Sequence, residues 1–130
     1  MSCWEALEEM PMDATDELLR LAFDRAPAAE ANEAISRMRA QAGDDISGAI
    51  SYELVLPAGD VRAHLLDYVL PRLVNYLESS GAKLPHCGGV FLSVFAGDTL
   101  HFLHARDVMA LLSRWSGLSM DELKQQYGPK

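Results

Sequence analysis

The chain has little that would staple or anchor it. Its 130 residues include two cysteines, Cys3 and Cys87, and their spacing matches neither a disulfide framework nor a zinc signature. Such sparse usage fits a reducing compartment. No apolar stretch approaches the length that a bilayer demands of a helix. The opening MSCWEALEEMPMDATDELL has no basic leader and no uninterrupted apolar segment, so no signal peptide is expected. The reading is a soluble cytoplasmic protein without a membrane partner. Basic charge is also scarce, with eleven Lys and Arg against nineteen Asp and Glu and a net charge of -8. A negative surface repels a phosphate backbone, which argues against nucleic-acid binding. Phosphate-loop, dinucleotide-binding and calcium-loop patterns are missing, and no cofactor is expected. There is no internal repeat and no low-complexity tract.

Apolar residues make up 49% of the chain and charged residues 23%, enough for one real core in a chain of this length. Residues 1–130 therefore read as a single compact domain. Charge is distributed unevenly within it. Residues 1–45 carry eleven acids against four bases, whereas residues 46–130 carry eight against seven. The first third is accordingly expected to form an acidic helical lobe or subdomain.

Apolar spacing organises the rest. Trp4 to Met10 predicts a short helix ended by Pro11. Leu18, Leu19, Ala22 and Phe23 recur at helical spacing behind Asp13 or Thr15 as cap. Pro27 suits the first turn of a third helix, with Ala31, Ala34, Ile35 and Met38 as its apolar stripe. The GDDISG segment after Gln41 reads as a turn or short loop. From Ile50 to Leu56 the period changes to two, which predicts a strand. Asp60 then caps a long helix in which Val61, Leu65, Val69, Leu73 and Leu77 line one side, with Leu66, Leu70 and Val74 widening it. Pro71 should kink or divide that helix, and Gly81 should end it. The runs VFLSVF and LHFLHA flank Gly97 and Asp98 and read as an antiparallel hairpin. Val108, Leu111, Leu112 and Trp115 then mark a helix that Gly117 stops. Ser119 and Glu122 form a capping box for the last one. The predicted class is α+β, a small antiparallel or mixed sheet of about three strands packed against several helices.

Three groups of residues suggest chemistry or binding. His86, Cys87 and His104 flank the hairpin and are of the types that ligate zinc or form a thiolate–imidazole pair, so a small hydrolase or metal-binding enzyme centred there is the alternative reading. His101 and His104 are an odd number apart, which points them to opposite faces of one strand. Asp44, Asp45 and the glutamates of the first helix read as solvated carboxylates, since acid–base work needs a cleft. His64 reads as a packed or surface side chain, and Trp115 as core. The leading segment supplies the third group: Trp4, Glu5, Glu8, Glu9, Asp13, Asp16 and Glu17. Exposed carboxylates speed encounter with a basic protein surface, and an aromatic anchor then supplies lasting affinity. The favoured function is a small, acidic, non-enzymatic binding module that inhibits, neutralises or escorts another protein, with no metal required. Immunity proteins and secretion chaperones share this size and charge sign, an analogy at that level alone. Homodimerisation through a sheet edge or a helical face is a further expected mode.

Overall fold

A computed structural model of the protein describes residues 13–41, 50–79 and 90–128. The predicted helix at Trp4–Met10, the loop after Gln41, the stop at Gly81 and the residues Trp4, Glu5, Glu8, Glu9, Asp44, Asp45, His86 and Cys87 lie outside these segments.

The fold is α+β, with a four-stranded mixed sheet in the order β1-β4-β3-β2. Its strands are β1 (Ala22–Pro27), β2 (Ile50–Val55), β3 (Val90–Ala96) and β4 (Thr99–His104). The β3–β4 and β1–β4 pairs are antiparallel, and β2 runs parallel to β3.

The fourth strand corrects the sequence reading, which counted about three and carried the helix behind Asp13 or Thr15 through Ala22 and Phe23. Helix α1 covers only Ala14–Leu19, and the chain then extends to pair with β4 as β1. Leu18, Leu19, Ala22 and Phe23 have helical spacing, but pairing with a distant strand overrides so short a local pattern. The described part of the acidic first third thus contributes a strand to the central sheet as well as helices. Pro27 ends β1 rather than opening a full helix. Its missing amide is tolerated at this edge position, and a single 3-10 turn, Ala28–Glu30, follows it.

Helix α2 (Ala31–Gln41) buries Ala34 and Met38 and packs Ala31 and Ile35 beside them, the stripe that its sequence predicts. Its cover lies over Ala26, Phe91, Leu100 and Phe102. The opposite face of the sheet carries the larger core. There helix α3 (residues 61–79) buries Leu65, Val69, Leu70, Leu73, Val74 and Leu77. Helix α4 (Ala105–Ser116) adds Val108, Met109, Leu111 and Leu112, and helix α5 (Met120–Tyr127) adds Leu123.

Helix α3 resolves the problem of Pro71 without dividing. It begins as Val61–His64, passes through a π turn at Leu65–Val69 and continues as Leu70–Ser79. Within the wide turn the Leu70 amide donates to the Leu65 carbonyl, five residues back. This loosens the backbone where the proline ring would press on the carbonyl of Asp67.

The terminators act as their chemistry requires. Asp13 accepts from the Thr15 amide and Asp60 from the Ala63 amide. Ser119 and Glu122 complete a reciprocal capping box. Gly97 turns the β3–β4 hairpin at φ 63°, the positive region that tight hairpin turns demand at this position. The Asp98 carbonyl accepts from the Ala28 amide at 2.8 Å, tying the hairpin tip to the end of β1. Among the described residues, no helix is long and apolar enough to cross a membrane.

Candidate functional site

The clearest concavities in the described structure surround α1 and β1. One cleft of about 670 Å³ is lined by residues that include Asp16, Arg20, Phe23, Asp24, Arg25 and His101. A second, of about 550 Å³, shares Arg20 and adds Arg62, Arg114, Glu17 and Asp107 above Leu21, Ala110 and Leu111. A smaller hollow of about 390 Å³ at the hairpin tip shares Arg25 and His101 with the first.

A bulge places Phe23. Ala22 pairs with Leu103 and Asp24 with Phe102, which leaves Phe23 as the extra residue on β1. Bulges re-aim a side chain in this way. Here the ring stacks on His104, with centroids 4.2 Å apart, and lies 6.4 Å from the Phe102 ring. It stays 39% exposed, one of a few large apolar side chains to do so among the described residues. Exposed Asp24 follows it, and the Asp24 carboxylate accepts from the adjacent Arg25 amide at 2.8 Å.

The cross-strand partners Arg25 and His101 share the other side of this edge. Burial holds His101 below the ordinary imidazole range, and the Arg25 guanidinium adds to that effect. The ring is therefore neutral at physiological pH, an acceptor and donor rather than a fixed cation.

The acidic residues predicted to form a partner surface divide here. Asp13 and Asp16 are exposed, with Asp13 also capping α1. Glu17 is turned inward against α4. One of its oxygens pairs with the Arg114 guanidinium, and the other accepts from the Trp115 indole at 3.1 Å. The Arg62 guanidinium lies 5.3 Å from the centre of the Trp115 ring. Glu17 thereby clips α1 to α4, and Trp115 packs half-buried against the main core while also forming part of the clip.

His104 does not meet a catalytic partner among the described residues. It precedes α4 without a side-chain cap bond and is stacked on Phe23. His101 and His104 lie on opposite faces of β4, as their odd separation requires. Among the described residues, no three His, Cys, Asp or Glu side chains are grouped to hold a metal ion.

A tyrosine cluster at the other end of the sheet was not visible in the sequence. Tyr52 of β2 meets Tyr76 of α3 edge-on at 5.3 Å. His64, Tyr68 and Arg72 form a ladder along α3, with His64 stacked on Tyr68 at 5.1 Å and the Arg72 guanidinium 3.7 Å from the Tyr68 ring centre. Their spacing of four residues was the available signal. Burial raises the Tyr52 phenol, chiefly with help from Tyr68, while Arg72 opposes it. No protein family model matches this chain, and no curated protein or solved structure proves similar to it.

Proposed function

We propose that this protein is a small binding module that inhibits, neutralises or escorts a partner protein bearing a basic surface. The observation that carries the reading is Phe23, an exposed aromatic aimed outward by a bulge and flanked by acid. Asp24 follows it directly, and Asp16 lines the same cleft. The Asp16 and Asp24 carboxylates beside an apolar anchor, in a cleft that Arg20 and Arg25 also line, suit a partner that presents Lys or Arg beside an aliphatic or aromatic group. The carboxylates would raise the encounter rate, and burial of the ring would slow release. Asp13 caps the helix that carries Asp16, and Trp4, Glu5, Glu8 and Glu9 belong to this proposal on the strength of their sequence alone. Glu17 acts in it indirectly, by holding α1 against α4.

Retention of a specific protein from host extract, followed by kinetics with that purified partner, tests the reading. Asp16→Lys with Asp24→Lys should slow association about tenfold or more at low salt, with the difference fading as salt rises. Phe23→Ala should leave association nearly unchanged and speed dissociation about tenfold or more. A captured partner whose two rates are indifferent to all three substitutions would remove this surface from the proposal.

A further inference from the structure

Four of the chain's eight arginines, Arg20, Arg25, Arg62 and Arg114, line the two clefts that share Arg20. Three of them meet in the second cleft, and they arrive from separate elements. Arg20 is the C-terminal cap of α1, Arg62 lies in the first turn of α3, and Arg114 lies in the last turn of α4. Arg114 holds Glu17, and Arg62 covers Trp115. Arg20 makes no ion pair among the described residues. The other acid of the cleft, Asp107, is 3.8 Å from Arg106, so part of its charge is already answered outside the three-arginine group.

We propose that this second cleft binds a small organic phosphate. Convergence from three directions favours that class. A planar carboxylate is met fully by one guanidinium fork, whereas a tetrahedral phosphate offers acceptors to several donors at once. Leu21, Ala110 and Leu111 provide an apolar wall for the rest of the molecule. The net charge of -8 opposes long polyanions, but a small ligand in the cleft sits within the roughly 8–10 Å over which nearby charges dominate at moderate salt. Glu17 is the internal competitor, an anion already resting on Arg114. Binding replaces part of that contact, and the Trp115 indole keeps Glu17 close by.

The whole chain titrated with phenyl phosphate, and separately with inorganic phosphate, at constant ionic strength provides the test. Calorimetry and backbone amide shifts give the readout. Saturable one-to-one binding is expected, tighter for phenyl phosphate than for inorganic phosphate. Arg20→Gln with Arg62→Gln should weaken it at least tenfold. Arg25→Gln, which alters only the neighbouring clefts, should leave it within twofold. Glu17→Gln should strengthen binding severalfold, because the competing charge is gone while the amide oxygen can still accept from Trp115. That gain also guards against a trivial explanation by unfolding. Failure to saturate, equal affinity for the two phosphates, unchanged binding in the Arg20 and Arg62 variant, or an equal loss in Arg25→Gln would each overturn the proposal.

Discussion

Eighteen buried side chains form the core on the side of the sheet that faces α1, α3, α4 and α5. Six form the core on the side that faces α2. The two faces differ in chemistry as well as thickness. The thick side is closed by several helices whose apolar stripes interlock. The thin side is built on Phe91, Leu100 and Phe102 beneath a single helix, α2, which contributes Ala31, Ala34, Ile35 and Met38. The thin side also carries the one buried side-chain polar atom that lacks a hydrogen-bond partner among the described residues, the Ser93 hydroxyl. Ser93 lies opposite Phe102 and between Phe91 and Phe95 on its strand, where an apolar side chain would cost nothing in hydrogen bonding. The exposed ring of Phe23 stands beside this same face. The thin side therefore borders the exposed Phe23 proposed as a partner anchor, while the three-arginine cleft lies among helices of the thick side.

Leu103 and Leu100 offer the sharpest break of that comparison. Both are fully buried on β4, on opposite faces of the sheet. Leucine to alanine in a core costs about 2–5 kcal/mol, depending on how far the surroundings can collapse. Leu103→Ala should fall near the upper end, because the helices above it brace one another. Leu100→Ala should fall near the lower end, because α2 alone can settle towards the gap. Denaturant midpoints at unchanged slope measure the difference, and equal losses would erase the distinction between the faces.

A smaller effect of opposite sign is expected at Ser93. Replacing an unpartnered buried hydroxyl by alanine relieves a desolvation penalty of about 1–3 kcal/mol, offset by the small space left behind. The net expectation for Ser93→Ala is a gain of about 1 kcal/mol. A loss of stability would mean that the hydroxyl is partnered in solution.

The smallest effect concerns pH. The folded protein holds His101 less basic than an unfolded chain would, through burial and Arg25. As pH falls through the ordinary imidazole range near 6.5, the unfolded chain takes up the proton first, and stability declines with acidity. The decline continues down to the lower titration point of the folded state. His101→Gln should flatten the dependence of Tm on pH as the solution is made more acidic than the ordinary imidazole range. An unchanged slope would assign the acid sensitivity to other groups.

Much of the fold was legible from local signals. The stripes of α2 and α3, the Asp60 cap, the capping box at Ser119 and the Gly97 hairpin each depend on residues within about four positions of one another. β1 was not legible, because its bulge at Phe23 breaks the alternation that marks a strand and its preceding residues continue a helical spacing. Of the candidate site, Asp13 and Asp16 were identified as exposed acids at the start of α1. The pairing of Glu17 with Arg114 and Trp115 was hidden, as was the gathering of Arg20, Arg62 and Arg114, since nothing in their spacing relates them.

The sequence by itself determined which segments are amphipathic, where most helices begin and stop, and that a hairpin turns at Gly97 and Asp98. These follow from backbone sterics and side-chain periodicity, which act over a turn or two of chain. Only the tertiary structure decided that Ala22–Pro27 joins the sheet, that one face is thick and the other thin, and that arginines from three helices share a cleft. Those outcomes depend on which distant segments bury each other's apolar surface and satisfy each other's backbone groups, and pairing of that kind leaves no local signature.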